Sequence, residues 1–208
     1  NDFVCVKEKI LRATELFENS DCWVHIDVTD GKFTPHQIWN NPRELAELQT
    51  GSYKLPCYME VHLMVQEPET VINQWMDTAA QRFIVHLETI KKEKHSYFLE
   101  EVGFPRTILA IKQETPVKDL VPYLSECKMV SLLAVTPGRS GQLFNPSILE
   151  KIKFLKQNHP DVKIEVDGGI NLETAKLIKE AGADIAVSAS HIWENANPKE
   201  AYKNLTKI

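Results

Sequence analysis

Features that mark several protein classes are absent from this 208-residue sequence. It has no apolar run of about 18 residues, the length that a membrane-spanning helix needs, and its first residues lack the layout of a signal peptide. The four cysteines have no CxxC spacing, so reduced, partly buried thiols are expected rather than a disulfide framework or a zinc knuckle. The net charge of −5 argues against a nucleic-acid surface, which would be basic. We therefore expect a cytoplasmic protein without nucleic-acid or membrane partners.

The sequence does contain a regular alternation of short β-branched or apolar runs with helical patterns. Strict alternation of this kind predicts parallel strands joined by helical crossovers. The strand candidates are residues 22–28, 58–64, 83–87, 108–111, 129–135, 162–166 and 185–188. The helical patterns between them include residues 68–80 and 117–124.

Two α/β architectures accommodate this alternation, a doubly wound sheet and a (β/α)8 TIM barrel. A doubly wound sheet would be favoured by a GxGxxG turn after an early strand, and the sequence has none. A barrel closes with eight strands. Because the chain opens with a helical pattern, we expect a first strand to precede it, and we expect residues 1–208 to form one barrel domain.

Polar residues stand near the ends of several strand candidates, where functional residues of a barrel lie. The first candidate strand contains His25 and Asp27, the second contains His62, and the sixth is followed by Asp167. Imidazole and carboxylate ligands from separate strands suit a divalent Zn, Mn, Fe or Co ion better than Mg or Ca. The sequence therefore predicts a metal site formed by His25, Asp27, His62 and Asp167.

Each of these residues also has an ordinary structural interpretation. A histidine in an apolar strand is often a hydrogen-bonded core residue, and an aspartate at a strand end often caps a helix. Their recurrence at the same end of three strands favours the metal site. His86 and Glu88, in "IVHLE", are as readily explained by the core as by a role in orienting a metal ligand.

Glycine-containing turns follow the last strand candidates. They are "TPGRSGQ" (136–142), "DGGI" (167–170) and, with small residues instead of glycine, "VSAS" (187–190). Backbone N–H groups in such turns can bind a phosphate. Glycine also serves ordinary tight turns, so position after the final strands is what favours phosphate binding.

The motifs "HIDVTDGKFTP", "VHLMVQEPE", "FIVHLE", "AVTPGRSGQLF" and "EVDGGI" occur in the order found in ribulose-phosphate 3-epimerases, and the chain resembles that family from near residue 2 to beyond residue 190. The resemblance implies a (β/α)8 barrel with one divalent metal ion. It implies interconversion of D-ribulose 5-phosphate and D-xylulose 5-phosphate. The pentose phosphate pathway is the corresponding metabolic role.

The resemblance also assigns roles to individual residues. His25, Asp27, His62 and Asp167 match the family's metal ligands, and the two aspartates match its acid/base pair. Met64 matches a methionine that lines the pocket. The residues that fall in the phosphate-binding turns are Gly138, Arg139, Ser140, Gly141, Gly168, Gly169, Ala189 and Ser190.

The sequence departs from the family around the substrate. Thr29 and Leu133 replace pocket methionines, Arg139 replaces an aromatic residue, and Ser140 and Ala189 replace glycines. Three functional hypotheses are compatible with an intact metal site and a changed pocket. They are an epimerase of ribulose 5-phosphate, an epimerase of another ketose phosphate such as a hexulose 6-phosphate, and a non-catalytic barrel that binds metal and phosphosugar.

The sequence leaves the oligomeric state open. A homo-oligomer would have an apolar interface, and Trp75 and Trp193 are candidates for it. Packing in the core is the favoured interpretation of both side chains.

Overall fold

A computed structural model describes residues 3–16, 23–50, 58–91, 98, 106–138 and 141–208. The chain divides into two compact units, residues 1–107 and 108–208. The single domain expected over residues 1–208 stays a prediction.

The first unit alternates helices and strands. Its strands are joined in part by short 3-10 turns instead of full α-helices. In chain order its elements are α1 (Phe3–Leu16), β1 (Trp23–Thr29), α2 (Pro42–Thr50), β2 (Tyr58–Met64), a 3-10 turn (Pro68–Thr70), α3 (Ile72–Met76), β3 (Arg82–His86) and a 3-10 turn (Leu87–Thr89).

The three strands of the first unit are parallel and pair in sequence order. In the register between β1 and β2, His25 lies opposite Glu60 and Asp27 lies opposite His62. In the register between β2 and β3, Glu60 lies opposite Arg82. Because side chains alternate between the faces of a strand, these residues project from one face of the three-stranded sheet.

The other face of these strands and the helices form an apolar core. Phe83 and Leu63 are fully buried, and so is Trp75 of α3. The ring of Trp75 meets that of Trp39 edge to face, with 5.6 Å between centroids. The predicted core packing is thus confirmed for Trp75, whose side chain is not exposed at the surface.

The second unit continues the alternation of strand and helix. Its strands are parallel and are hydrogen-bonded to one another in sequence order. The elements are β4 (Thr107–Ile111, which begins at the unit boundary), a 3-10 helix (Val117–Tyr123), β5 (Met129–Leu133), α4 (Ile148–Asn158), β6 (Lys163–Asp167), α5 (Leu172–Ala181), β7 (Ile185–Val187), α6 (Ser190–Trp193) and α7 (Pro198–Leu205).

Local sequence signals set the ends of α5. Asn171 accepts hydrogen bonds from the backbone N–H groups of Glu173 and Thr174, and the Thr174 side chain completes a capping box. At the other end, Gly182 adopts a left-handed conformation with φ 111°. The helix therefore begins directly after the DGGI turn.

Helices in two predicted regions are shorter than their patterns suggest. Residues 117–123 form a 3-10 helix that contains Pro122, whose ring and missing N–H disfavour a continuous α-helix. In residues 68–80 the helical structure is divided at Val71 into a 3-10 turn and a short α-helix. Among the described residues, no helix combines the length and apolarity needed to cross a membrane.

Candidate metal centre

Three predicted ligands lie together on β1 and β2. The Oδ1 atom of Asp27 is 3.4 Å from Nε2 of His25 and 3.2 Å from Nδ1 of His62. One nitrogen or oxygen atom from each residue lies within 4.8 Å of those of the other two. The strand period places His25 and Asp27 on one face, and the parallel register brings His62 beside Asp27. The first unit therefore contains three of the four predicted donors in one cluster.

The surroundings of this cluster shift two pKa values. Desolvation by itself raises the pKa of Asp27, but the interactions with His25 and His62 outweigh it and lower that pKa below its ordinary value. Burial lowers the pKa of His62 from 6.5 to about 4, although Asp27 partly opposes this effect. At neutral pH the carboxylate is ionised and His62 is neutral, which are the protonation states that bind metal ions.

The far side of the His25 ring contacts an ion pair. Nδ1 of His25 lies 2.9 Å from Oε1 of Glu60, and Oε2 of Glu60 lies 2.6 Å from Nη2 of Arg82. Glu60 is 2% exposed and Arg82 is largely buried. An ionised Glu60 can only accept a hydrogen bond, so Nδ1 of His25 is the donor and Nε2 is the nitrogen that faces Asp27.

The far side of the His62 ring contacts a second imidazole. Nε2 of His62 lies 2.9 Å from Nε2 of His86, and Nδ1 of His86 lies 3.2 Å from Glu88. If His86 is neutral and donates through Nδ1 to Glu88, its Nε2 accepts from His62. The lone pair of His62 then lies on Nδ1, toward Asp27. The sequence left two interpretations open for His86 and Glu88. In the structure His86 contacts the predicted ligand His62, and Glu88 contacts His86.

This hydrogen-bond pattern places three electron-pair donors beside one another. A divalent cation placed between these three residues would be coordinated by one nitrogen of each histidine and by the carboxylate. A set of two imidazoles and a carboxylate fits Zn, Mn, Fe or Co. The donor chemistry of the cluster is therefore that of a metal site.

The loop after β1 is organised by Asp30, which the sequence analysis did not single out. Its carboxylate accepts from the N–H groups of Lys32, Phe33 and Gln66 at 2.8, 3.1 and 2.8 Å. Burial raises the pKa of Asp30, and these hydrogen bonds produce a net lowering. Its place in an Asp-Gly turn was a usable signal for this role. Asp30 fixes the loop that follows Thr29 to the end of β2.

Thr29 and Met64 lie at the ends of β1 and β2, and both side chains are buried. The Thr29 hydroxyl donates to the carbonyl of His36 and accepts from the N–H of Ile38. Thr29 therefore has a structural role in holding the loop, and its presence in place of a methionine has a local physical reason.

In the second unit, Asp167 ends β6 and directly precedes the paired glycines. Gly168 and Gly169 have φ values of 108° and 68°. A Cβ on Gly168 would lie 2.4 Å from Cγ2 of Val135, and one on Gly169 would lie 2.6 Å from the backbone N of Phe144. Both positions therefore require glycine for conformation and for space.

The predicted phosphate turns of the second unit are linked by hydrogen bonds. The N–H of Ala134 donates to the carbonyl of Asp167 at 2.7 Å, and the Ser188 hydroxyl donates to the carbonyl of Ile170 at 2.9 Å. The turn after β5 is thus tied to the DGGI turn, and the DGGI turn to the segment after β7.

The individual phosphate candidates are placed unevenly. Gly138 and Gly141 have positive φ values of 102° and 75°. Ala189 and Ser190 lie at the start of α6, which has only four residues. Arg139 and Ser140 lie outside the described residues. Close packing by itself accounts for the paired glycines Gly168 and Gly169. Phosphate binding by all of these residues stays a prediction, and so does the role of Asp167 as the fourth metal ligand.

Comparison with solved structures shows the fold class. The chain is similar to 3-hexulose-6-phosphate synthase, with a TM-score of 0.62, 17% identity and coverage of 96% of this chain and 93% of the other. It is also similar to phosphoribosyl anthranilate isomerase from Thermus thermophilus, with a TM-score of 0.63, 14% identity and coverage of 95% and 92%. These matches define a (β/α)8 TIM barrel, which confirms the predicted fold class.

Sequence comparisons identify the family within that class. The model of the ribulose-phosphate 3 epimerase family matches residues 2–193. Curated proteins named ribulose-phosphate 3-epimerase are 32% identical in Schizosaccharomyces pombe, over 98% of this chain and 88% of the relative, and 34% identical in Methanocaldococcus jannaschii, over 98% and 85%. The chain belongs to the ribulose-phosphate 3 epimerase family. The predicted resemblance and the predicted isomerase class are therefore confirmed.

Proposed function

We propose that this protein is a metal-dependent epimerase that inverts C3 of D-ribulose 5-phosphate to give D-xylulose 5-phosphate. The observation that carries the proposal is the cluster of His25, Asp27 and His62, whose donor atoms lie close together on adjacent strands. Membership of the family supports the reaction class. The substrate and the mechanism are inferred from this chemistry.

The proposed metal site contains His25, Asp27 and His62 from the first unit and Asp167 from the second. Zn, Mn, Fe or Co suits two imidazoles and two carboxylates. When bound, the metal supplies a Lewis acid that stabilises negative charge on the substrate oxygens during enolisation. His25 and His62 contribute neutral donors, and the ionised aspartates balance the charge of the cation.

Epimerisation beside a ketone removes a proton from one face of C3 and returns a proton to the other. Two groups on opposite sides of that carbon are therefore needed. We assign these roles to Asp27 and Asp167, because they come from different strands and each has carboxylate oxygens for proton transfer. Asp27 begins as a carboxylate, since its two neighbouring histidines lower its pKa.

The turns of the second unit are proposed to bind the substrate phosphate. Gly138, Gly168 and Gly169 have positive φ values and no side chain that would hinder an anion from approaching the backbone of these turns. Backbone N–H groups in such turns bind anions without a charged side chain. Arg139, Ser140, Gly141, Ala189 and Ser190 complete the proposed phosphate-binding set.

A second candidate is an epimerase of the same mechanism that acts on a hexulose 6-phosphate. The observation that favours it is Thr29, a small buried side chain where the family has a methionine. Threonine is smaller than methionine, which would leave a longer substrate more room at the end of β1. Family membership does not support the third hypothesis, a barrel without catalytic activity.

We also propose a cytoplasmic location and a sugar phosphate as the small-molecule partner. A rice relative named as the cytoplasmic isoform of ribulose-phosphate 3-epimerase supports the location.

The two substrate candidates are distinguished by comparing kcat/KM for D-ribulose 5-phosphate with that for a hexulose 6-phosphate, in protein loaded with each metal in turn. We expect the pentulose to be preferred. A higher kcat/KM for the hexulose would assign the second candidate, and turnover of neither substrate by folded, metal-loaded protein would contradict the proposed reaction.

A further inference from the structure

We propose that Glu60 and Arg82 are positioning residues that hold His25 with Nδ1 protonated and Nε2 directed at the metal position. The inference concerns the first unit and rests on the proposed function of the metal site. It goes further because neither residue is among the predicted ligands or the acid/base pair.

The three residues form one layer across the sheet. His25 of β1 is in register with Glu60 of β2, and Glu60 is in register with Arg82 of β3. The layer lies one side-chain repeat before the layer that contains Asp27 and His62. Glu60 and Arg82 therefore lie on the same face of the sheet as the predicted ligands, in the layer that contains His25.

The contacts within the layer are short and directional. Glu60 uses a different carboxylate oxygen for each neighbour, Oε1 for His25 at 2.9 Å and Oε2 for Arg82 at 2.6 Å. A carboxylate that is 2% exposed needs a cation, and Arg82 supplies a charge that is permanent because a guanidinium is not deprotonated in proteins. Glu60 is therefore held as an anion that only accepts hydrogen bonds.

The guanidinium of Arg82 is itself fixed by an aromatic pair. Its central carbon lies 3.4 Å from the ring centroid of Trp23, and Trp23 stacks on Tyr58 with 5.1 Å between centroids. Arginine stacks on an aromatic face while its N–H groups remain available in the plane. The chain of contacts runs from Trp23 through Arg82 and Glu60 to His25.

The consequence is a choice between the two tautomers of His25. A proton on Nδ1 places the lone pair on Nε2, 3.4 Å from Asp27. The opposite tautomer would place a proton where the metal binds. Partners of this kind fix ring orientation and raise ligand basicity, and their loss typically lowers metal affinity by about 10- to 100-fold.

Glu60→Gln provides a direct test because an amide has only one acceptor oxygen. In that variant Arg82 retains the oxygen, so the amide NH2 group faces His25 and favours protonation on Nε2. In the double variant Glu60→Gln with Arg82→Met, the amide oxygen is released and can accept from Nδ1 again. Arg82→Lys keeps the charge but loses the planar stacking on Trp23.

Arg106→Met is a matched control. Arg106 also lies in the first unit, its guanidinium is above the ring of Phe83, and it donates to backbone carbonyls rather than to a carboxylate. Its removal tests for a general effect of losing a stacked arginine.

The first readout is the tautomer of His25, measured by two-bond proton-nitrogen correlation spectra of the metal-free, nitrogen-15-labelled full chain. We expect Nδ1 protonation in the native sequence and in Arg106→Met, a shift toward Nε2 protonation in Glu60→Gln, and recovery in the double variant. Nε2 protonation in the native sequence, or an unchanged tautomer in Glu60→Gln, would overturn the inference.

The second readout is zinc affinity, measured by competition with a chromogenic chelator. We expect the dissociation constant to rise about 10- to 100-fold in Glu60→Gln, to rise less in Arg82→Lys, and to stay unchanged in Arg106→Met. If Glu60→Gln does not fold, an unchanged zinc affinity in a folded Arg82→Met variant would overturn the inference.

The two readouts separate this inference from the proposed function. Failure of the native protein to bind zinc, manganese, iron or cobalt would reject the proposed metal site. The tautomer experiment would still decide whether Glu60 and Arg82 orient His25, since it uses metal-free protein.

Discussion

Replacement of Asp27 by asparagine is expected to remove most of the metal affinity and all measurable turnover. The substitution preserves size but removes the negative charge that lies 3.4 Å from His25 Nε2 and 3.2 Å from His62 Nδ1. It also removes one of the two proposed proton-transfer groups. Binding and catalysis should therefore fail together.

The magnitude follows from the spacing of the cluster. Two unit charges about 4 Å apart interact by about 4 kcal/mol at an effective dielectric constant near 20. A loss of about 4 kcal/mol corresponds to a dissociation constant about three orders of magnitude larger. The double charge of the cation makes this a lower bound for the coulombic part, which desolvation partly offsets.

The assay is zinc competition against a chelator, with turnover measured at saturating metal. Asp161→Asn is the control, because Asp161 is an exposed aspartate outside the cluster. Zinc affinity and turnover close to native values in Asp27→Asn would refute the reasoning. Loss of both in Asp161→Asn would show that the effect is not specific to the cluster.

Three further predictions concern other parts of the site. Asp167→Asn should abolish turnover, and near-native kcat in a folded variant would reject its assignment as a proton-transfer group. The pKa of His62 is about 4 in the folded protein, compared with an ordinary value of 6.5. Between these two pH values the unfolded state therefore binds more protons than the folded state. The stability of the metal-free protein should fall as the pH falls from 6.5 to 4. His62 contributes about 3 kcal/mol to this change in the free energy of unfolding. Denaturant unfolding should therefore depend less on pH in His62→Gln than in the native protein, and an equal pH dependence in the two proteins would contradict the assignment. Gly169→Ala should destabilise the protein by about 1–3 kcal/mol, because its Cβ would lie 2.6 Å from the backbone N of Phe144, and an unchanged melting temperature would contradict the close packing.

The sequence alone was sufficient to predict the fold class and the clustering of three predicted ligands, for a specific physical reason. The alternation of strands and helices defines parallel pairing, and the period of a strand puts His25 and Asp27 on one face. Because the neighbouring strand runs in the same direction, His62, which has a similar position in that strand, lies near them. These inferences need only periodicity and chain direction.

The residues that the sequence analysis missed depend on register and on loop conformation. Glu60 is recognisable as sharing a face with His62, two residues later, but its pairing with Arg82 follows from how β2 and β3 align. The loop contacts of Asp30 reach Gln66, 36 positions away. Neither alignment can be read from local composition, because a shift of one residue would exchange the two faces of a strand.

One helical stretch contained a local signal that the sequence analysis did not use. Pro122 lies within the predicted helical stretch 117–124, and proline in a helix interior removes a hydrogen bond and clashes with the preceding turn. A 3-10 helix forms there instead of a continuous α-helix. The sequence therefore contained the reason for this difference.

The most direct test of the proposed reaction is proton NMR of D-ribulose 5-phosphate in D2O with the full-length protein, supplied in turn with zinc, manganese, cobalt or ferrous iron. Two-carboxylate epimerisation at C3 predicts loss of the C3 proton signal together with the appearance of xylulose 5-phosphate, and Asp27→Asn should show neither. Retention of the C3 proton signal with every metal, in folded protein, would contradict the proposed function.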